Sequence, residues 1–403
     1  MAEPALAPAP VRDGTWRLLA ILSGNMVLDA IEVSVVLVAL PSIAADLGLS
    51  VWGVQWLMTG FALGFAAVLL LGPRLTARWG LRRCYLGALV VFAAASVVGG
   101  LSGTAWVLVA ARLVKGGCAA LTAPAGLALI AATFPDGRPL RRAVSLYSLF
   151  GAAGFTLGLL LSGVLTPVSW HLTFLFPAPV ALLLLGWGLR VLPHTERRPP
   201  PRFPWELLRH GPLVRATLGA ATLNGTYAAL LLLVTFQAAD RFGWEPWRLA
   251  LALLPACVPL ALSVPFAGRL TGRFGTAGPV AAGALAALAG QLLLLARPRP
   301  GAYLPGLLPT LLLVGLAFVL SFAALNLQAT RNIPAAARGS AVPVYQTGVQ
   351  LGGVLLLPPV GFLLAHGSGY RPALLAITCA GAVGAAVSLT GLRTPPPKGA
   401  TPS

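Results

Sequence analysis

Four charged side chains, Asp29, Glu32, Arg112 and Lys115, lie well inside long apolar runs of this sequence. A charge in hydrocarbon is expensive unless paired or hydrated, so such residues either tie helices together as ion pairs or carry protons and charged groups across a membrane. Asn25, Asp29 and Glu32 follow one another at spacings of four and three, which places them on one stripe of a helix, and Arg112 and Lys115 share a stripe in the same way. On a helix rising 1.5 Å per residue, Glu32 lies roughly 13 Å below Pro41, and the two bases lie roughly 9–14 Å in from Trp106. Two acids and two bases at like depth are close to electroneutral. An acid whose distance from a base changes during a cycle takes up and releases protons; a permanent ion-pair cluster joining two helices is the alternative. Uncharged polar residues at mid-depth, Asn224, Tyr227, Tyr345, Gln346 and Gln350, are candidates for contact with a substrate, and interhelical hydrogen bonding is the other role open to each.

No enzyme chemistry is visible. His171, His194, His210 and His366 lie near loops with no Cys, Asp or Glu at metal-ligand spacing. Cys84, Cys118, Cys257 and Cys379 are single and widely spaced, as small core hydrophobes are. Neither a Ser-His-Asp set nor a phosphate-binding glycine loop occurs, so no metal, cofactor or nucleotide is expected.

The elements that must position these residues follow from composition. Hydrophobic residues make up 57% of the 403-residue chain and charged residues 9%, and mean hydropathy is +0.85. The fold is solvated by lipid. The net charge of +18 does not signal nucleic acid, because the arginines are scattered in short loops. At about 20 residues per crossing, the apolar runs give an all-α membrane protein with spans near 17–41, 53–72, 83–103, 105–131, 142–166 and 171–191, then 213–237, 247–267, 278–296, 303–329, 340–365 and 372–392. Arg241, Arg248, Arg297, Arg299 and Arg371 are the basic residues of one side of the membrane, and the many other loop arginines fall on the opposite side with both termini. That asymmetry puts the termini in the cytoplasm. The first apolar run is long enough to span, and no cleavage pattern precedes it.

The chain is also internally repeated: Arg74-Leu75-Thr76-Ala77-Arg78-Trp79-Gly80 recurs as Arg269-Leu270-Thr271-Gly272-Arg273-Phe274-Gly275, each in a basic loop between apolar runs. The expected organisation is a disordered cytoplasmic segment 1–16, a six-helix bundle 17–192, a linker 193–212, a second six-helix bundle 213–393 and a disordered tail 394–403. Pro199, Pro200 and Pro201 stiffen the linker, and 203–210 reads either as a short amphipathic helix at the inner leaflet or as a plain connector. Gly154, Gly158 and Ser162, four apart, form a close-packing seam. Pro255, Pro259, Pro265, Pro343, Pro358 and Pro359 can kink spans 8 and 11.

Twelve spans in two halves, with this loop motif in each, resemble the major facilitator superfamily, and local detail is similar to its drug:proton antiporter branch. Glu32-Val33-Ser34-Val35-Val36-Leu37-Val38-Ala39-Leu40-Pro41 resembles that branch's acidic first-helix motif. Gln55-Trp56-Leu57-Met58-Thr59-Gly60-Phe61 resembles its span-2 signature, with Phe61 in place of Tyr. Arg112-Leu113-Val114-Lys115-Gly116-Gly117 is similar to the family's Arg-x-x-Gln-Gly, with Lys115 at the Gln position, and Ser169-Trp170-His171-Leu172-Thr173-Phe174 resembles the opening of span 6. Ala77 and Gly272 stand where the family's loop motif has an Asp that latches the cytoplasmic gate, and span 5 reads Gly158-Leu159-Leu160-Leu161-Ser162-Gly163 without the branch's proline.

The resemblance implies a two-bundle fold with spans 1 and 4 lining a central cavity. It implies proton coupling by Asp29, Glu32, Arg112 and Lys115, and substrate contact by Asn25, Trp56, Asn224, Tyr227, Tyr345, Gln346 and Gln350. Arg74, Arg78, Gly80, Arg82, Arg269, Arg273 and Gly275 are the residues of a cytoplasmic gate. The expected protein is a monomeric exporter of small amphipathic molecules in the bacterial inner membrane, exchanging them for protons by alternating access. Uptake by the same fold, and a sensor or scaffold that does not transport, are the alternatives.

Overall fold

The computed structural model describes residues 13–135, 137–193, 205–330, 333, 335–367 and 369–393. The expectations for 1–12, 194–204 and 394–403 (disordered ends and a stiff linker) lie outside them. Among the described residues, twelve helices are long and apolar enough to cross a membrane: span 1 Gly14–Asp46, span 2 Val51–Leu69, span 3 Leu81–Gly100, span 4 Ala105–Thr133, span 5 Arg138–Leu165, span 6 His171–Val191, span 7 Gly211–Phe242, span 8 Pro246–Ser263, span 9 Ala277–Ala296, span 10 Leu308–Thr330, span 11 Ser340–His366 and span 12 Arg371–Thr390. In lipid only such self-satisfied helices, or closed barrels, are viable.

Several boundaries move. Span 1 continues through Pro41 to Asp46, since a proline removes one hydrogen bond but packing on both sides of it holds the helix. Span 10 starts at Leu308, after a separate turn Tyr303–Gly306. Pro265 does not kink span 8: it sits in a 3-10 turn, Val264–Phe266, that follows it, whereas Pro255 and Pro259 lie inside the helix. Of the segment 203–210, where an amphipathic helix is one expectation, the described residues form a 3-10 segment, Trp205–Arg209, and 203–204 lie outside them.

Two halves pack by the same scheme. Span 1 lies on span 5, 2 on 4, and 3 on 4 and 6; in the second half 7 lies on 11, 8 on 10, and 9 on 10 and 12. Each loop motif folds into a short helix, Gly72–Trp79 and Ala267–Phe274, ended by Gly80 at φ 86° and Gly275 at φ 67°. Only glycine adopts such backbone without strain. The ends far from residues 13 and 393 are pinned alike, for Trp170 Nε1 donates to Asp46 Oδ2 at 2.9 Å and the Tyr370 hydroxyl donates to Asp240 Oδ2 at 2.9 Å. Burial, and then the bond to Asp240, push the Tyr370 phenol up to about 12, so it remains a donor at neutral pH.

The Gly154/Gly158 seam is the contact of spans 1 and 5. A Cβ on Gly154 would press Val27 and Ala30, and one on Gly158 would overlap Ser34 and press Ile31. The halves join along spans 5 with 8 and 2 with 11. A single apolar cluster, containing Leu37, Leu40, Leu57, Leu230, Leu233, Leu253 and Val360, bridges them at the end far from residues 13 and 393. At the near end each half keeps a separate core, one around Leu22, Phe92 and Ile130, the other around Leu213, Leu325 and Ile333. The bundle is closed at the far end, and the two cores stay apart at the near one.

Candidate functional site

Glu32 sits on the buried stripe of span 1, where the following Val35, Val36, Val38 and Ala39 fill the core and leave its carboxylate pointing into the first half. Arg112 and Lys115 reach it from span 4, brought near because Gly60, Gly64 and Gly116 let spans 2 and 4 touch backbone to backbone. Arg112 Nη1 donates to Glu32 Oε2 at 2.8 Å, and Lys115 Nζ lies 2.6 Å from Oε1. Glu32 is 0% exposed, Arg112 1% and Lys115 0%. The two cations are held differently. Arg112 also donates to the carbonyls of Glu32, at 2.7 Å, and Leu57, at 3.0 Å, and its guanidinium lies 4.6 Å from the centre of the Phe61 ring. Lys115 makes its one close ion contact without hydrogen-bond alignment. Around it stand the rings of Phe92 and Phe174, 5.1 and 5.5 Å away, which attract a cation by their faces. Lys115 therefore points between spans 3 and 6, into the first half.

Asp29, one turn nearer the open end, is not part of that cluster: among the described residues it has no ion-pair partner. The expected pairing of two acids with two bases is thus corrected to one acid with two bases, because both cations converge on Glu32. Asn25 Nδ2 donates to Asp29 Oδ2 at 2.9 Å and Thr122 Oγ1 donates to the same oxygen at 2.8 Å. Asp29 keeps 7% exposure. Thr122 was not singled out in the sequence, yet it lies seven residues past Lys115 on the same helical stripe, and that spacing could have found it. Phe61 and Phe174 stood in the span-2 and span-6 motifs without a stated role, and Phe92 carried no signal that separates it from ordinary core.

The expected substrate-contact residues are dispersed. Asn25 is buried against Asp29. Trp56 stands at the closed end, its ring 5.5 Å from Trp52, which meets Phe362 of the second half at 5.8 Å. Asn224 donates to the Val349 carbonyl at 2.9 Å, joining spans 7 and 11. Tyr227 donates to the Ala256 carbonyl at 3.2 Å, and its ring lies 6.2 Å from Phe155 across the junction of the halves and 4.3 Å from Phe318. Tyr345 is buried, and Gln346 and Gln350 are half-buried on span 11. Of the gate-motif residues, Arg82 Nη2 donates to the Leu189 carbonyl at 2.7 Å within the first half. Arg269 and Arg273 lie over Phe266 and Phe274 of their own loop, and Arg74 and Arg78 flank Ala77, which is buried.

The second half lacks the charges. The loop repeat and the paired Asp46 and Asp240 set the register between halves, as do Gly116 and Gly315, which press span 2 and span 8 backbone alike. That register matches Asn25 with Gly219, Asp29 with Leu223, Glu32 with Thr226, Tyr85 with Val280, Phe92 with Ala287, Lys115 with Val314 and Thr122 with Ser321. All of these but Leu223 are smaller than their counterparts, and a small crevice of about 20 Å³ opens there, lined by Gly219, Leu223, Thr226, Val280, Ala287 and Ser321 among others. The polar centre of one half is a hollow in the other.

A protein-family model described as Major Facilitator Superfamily matches residues 22–356. The cephamycin export protein of Amycolatopsis lactamdurans is 34% identical over 54% of this chain and 49% of its own length. The puromycin resistance protein of Streptomyces alboniger is 30% identical over 88% of this chain and 82% of its own. The chain thus spans about half of the first relative and most of the second. Among solved structures, the nucleoside transporter NupG superposes with a TM-score of 0.74 at 12% identity, over 94% of this chain and 100% of that one, a likeness of fold.

Proposed function

This chain belongs to the Major Facilitator Superfamily, a multi-pass membrane transporter and not an enzyme, and we propose that it exports small amphipathic compounds of the antibiotic or secondary-metabolite class in exchange for protons. The observation that carries the reading is the buried group of Asp29, Glu32, Arg112 and Lys115, held in one half of a bundle whose halves are sealed at one end only. A scaffold gains nothing from charges that are costly to bury, and a bundle sealed at one end is one of the two states alternating access requires. The export and resistance named for the two relatives support the direction and the substrate class. With the arginine-rich side inward, residues 13 and 393 lie at the cytoplasmic end of a bacterial inner-membrane protein, and the state described opens inward. A monomer suffices, since the junction between halves lies within one chain.

The test is accumulation of puromycin, cephamycin and lipophilic dyes in pump-deficient bacteria expressing the protein. Lower accumulation that a protonophore abolishes is expected. Raised accumulation would reverse the direction, and no change across the panel would overturn export of this class.

A further inference from the structure

The two carboxyls of span 1 are equipped for different tasks. Glu32 is bound on both oxygens by cations: Arg112 on Oε2 and Lys115 on Oε1. Adding a proton to it strands two buried cations, the situation that makes breaking a buried pair so unfavourable. Lys115 cannot follow another partner easily, because its ammonium is boxed by Phe92 and Phe174, and it has no hydrogen-bond acceptor to fall back on. Asp29 differs on each count. Asn25 and Thr122 both donate to Oδ2, and Oδ1 accepts nothing from the described residues. A proton can therefore be added on Oδ1 while both donors keep their acceptor. The titratable groups facing Asp29 are Glu32 on its own span, Tyr85 on span 3, Cys118 on span 4 and Tyr147 on span 5. None of these is a cation, and Tyr147 donates instead to the Ala123 carbonyl at 2.9 Å.

We propose that Asp29 is the carboxyl that loads and releases the proton, and that Lys115 is a positioning residue that occupies the Glu32 oxygen left by Arg112 and so keeps Glu32 within its ion-pair cluster. The step is a plain protonation: water on the open side supplies a proton, the Oδ1–H bond forms, and the carboxylate charge is lost without disturbing the Glu32 cluster. Asn25 and Thr122 orient the carboxyl so that Oδ1 stays free. A Gln in place of Lys115, as the first-half resemblance would have it, leaves Glu32 with Arg112 alone. The lysine thus moves proton exchange one helical turn along span 1. This deepens the proton-coupled reading and depends on it for its part in transport, but not for its measurement.

The experiment is infrared difference spectroscopy of the purified full-length protein in lipid, between acidic and alkaline buffer, following the C=O stretch of a protonated carboxylic acid. No substrate is needed. The band is expected to shift on carboxyl-13C labelling of Asp and not of Glu, to vanish in Asp29→Asn, and to persist in Glu32→Gln/Lys115→Gln, which removes one charge of each sign. In Thr122→Val it should persist at a shifted frequency. A band that follows Glu labelling overturns the proposal, as does one that survives Asp29→Asn, and so does a wild type with no band in either buffer. The labelling arm needs no variant to fold. If the band belongs to Asp29 while expression leaves ethidium accumulation unchanged, the export reading fails and this assignment stands.

Discussion

Replacing Glu32 by Gln removes the one anion that neutralises two cations, each at most 1% exposed. Arg112 retains the Glu32 and Leu57 carbonyls, at 2.7 and 3.0 Å, so part of its hydrogen bonding survives. Lys115 retains only ring faces. Breaking a buried pair by removing one partner destabilises by about 3–5 kcal/mol, and here the stranded lysine should bring the loss to that full range. Asp29→Asn disturbs bonds to two neutral donors and should lose about 0.5–1.5 kcal/mol, the net worth of an ordinary hydrogen bond. Glu32→Gln/Lys115→Gln removes the stranded lysine, one of the two uncompensated charges and the one without other acceptors, and should recover most of what Glu32→Gln alone loses, a coupling that only interacting residues show. The assay is unfolding in mixed micelles titrated with SDS, read by tryptophan fluorescence, on the wild type and the three variants. Equal losses for Glu32→Gln and Asp29→Asn would refute the reasoning, as would a double variant no better than the additive sum, because the cluster would then carry no buried ion-pair energy.

Gly158→Val should abolish correctly assembled protein, since even a Cβ there overlaps Ser34 and presses the Ile31 backbone; the yield of monodisperse protein in size-exclusion chromatography checks it. A cysteine pair at Gly163 and Ala250, whose Cβ positions meet across spans 5 and 8 closer than the roughly 3.5–4.5 Å of a relaxed disulfide, should form one as the two helices part slightly, in a background with Cys84, Cys118, Cys257 and Cys379 replaced. Transport should then stop and return on reduction, whereas activity in the oxidised, fully cross-linked protein would show that this end never opens. Ser321→Ala should leave stability unchanged or raise it by up to about 1 kcal/mol, because its buried hydroxyl has no hydrogen-bond partner and faces the second-half crevice. A clear loss in the same SDS titration would mean that ordered water satisfies it. Tyr370→Phe should lose about 1 kcal/mol from the Asp240 bond that pins spans 7 and 12, measured likewise at neutral pH.

Much of this molecule is decided by local chemistry. Apolar runs of spanning length admit only helices, so the twelve spans could be read directly, and the duplicated loop motif announced two like halves. The intramembrane charges were visible for the same reason: nothing else in their surroundings is polar. Boundaries that depend on packing were not legible. The sequence cannot say that span 1 passes through Pro41, because the neighbours that hold the helix there come from distant segments.

The site divides in the same way. Helical spacing put Asn25, Asp29 and Glu32 on one stripe and Arg112 and Lys115 on another, but a stripe has no partner until helices dock. Only the tertiary structure decided that both cations meet Glu32, that Thr122 takes Asp29 instead, and that Lys115 turns between Phe92 and Phe174 into the first half. The closure at one end and the crevice opposite the charge cluster are likewise sums over many helices. Periodicity along a chain is set by the backbone, whereas the choice among facing side chains is set by depth, rotation and the space that glycines leave.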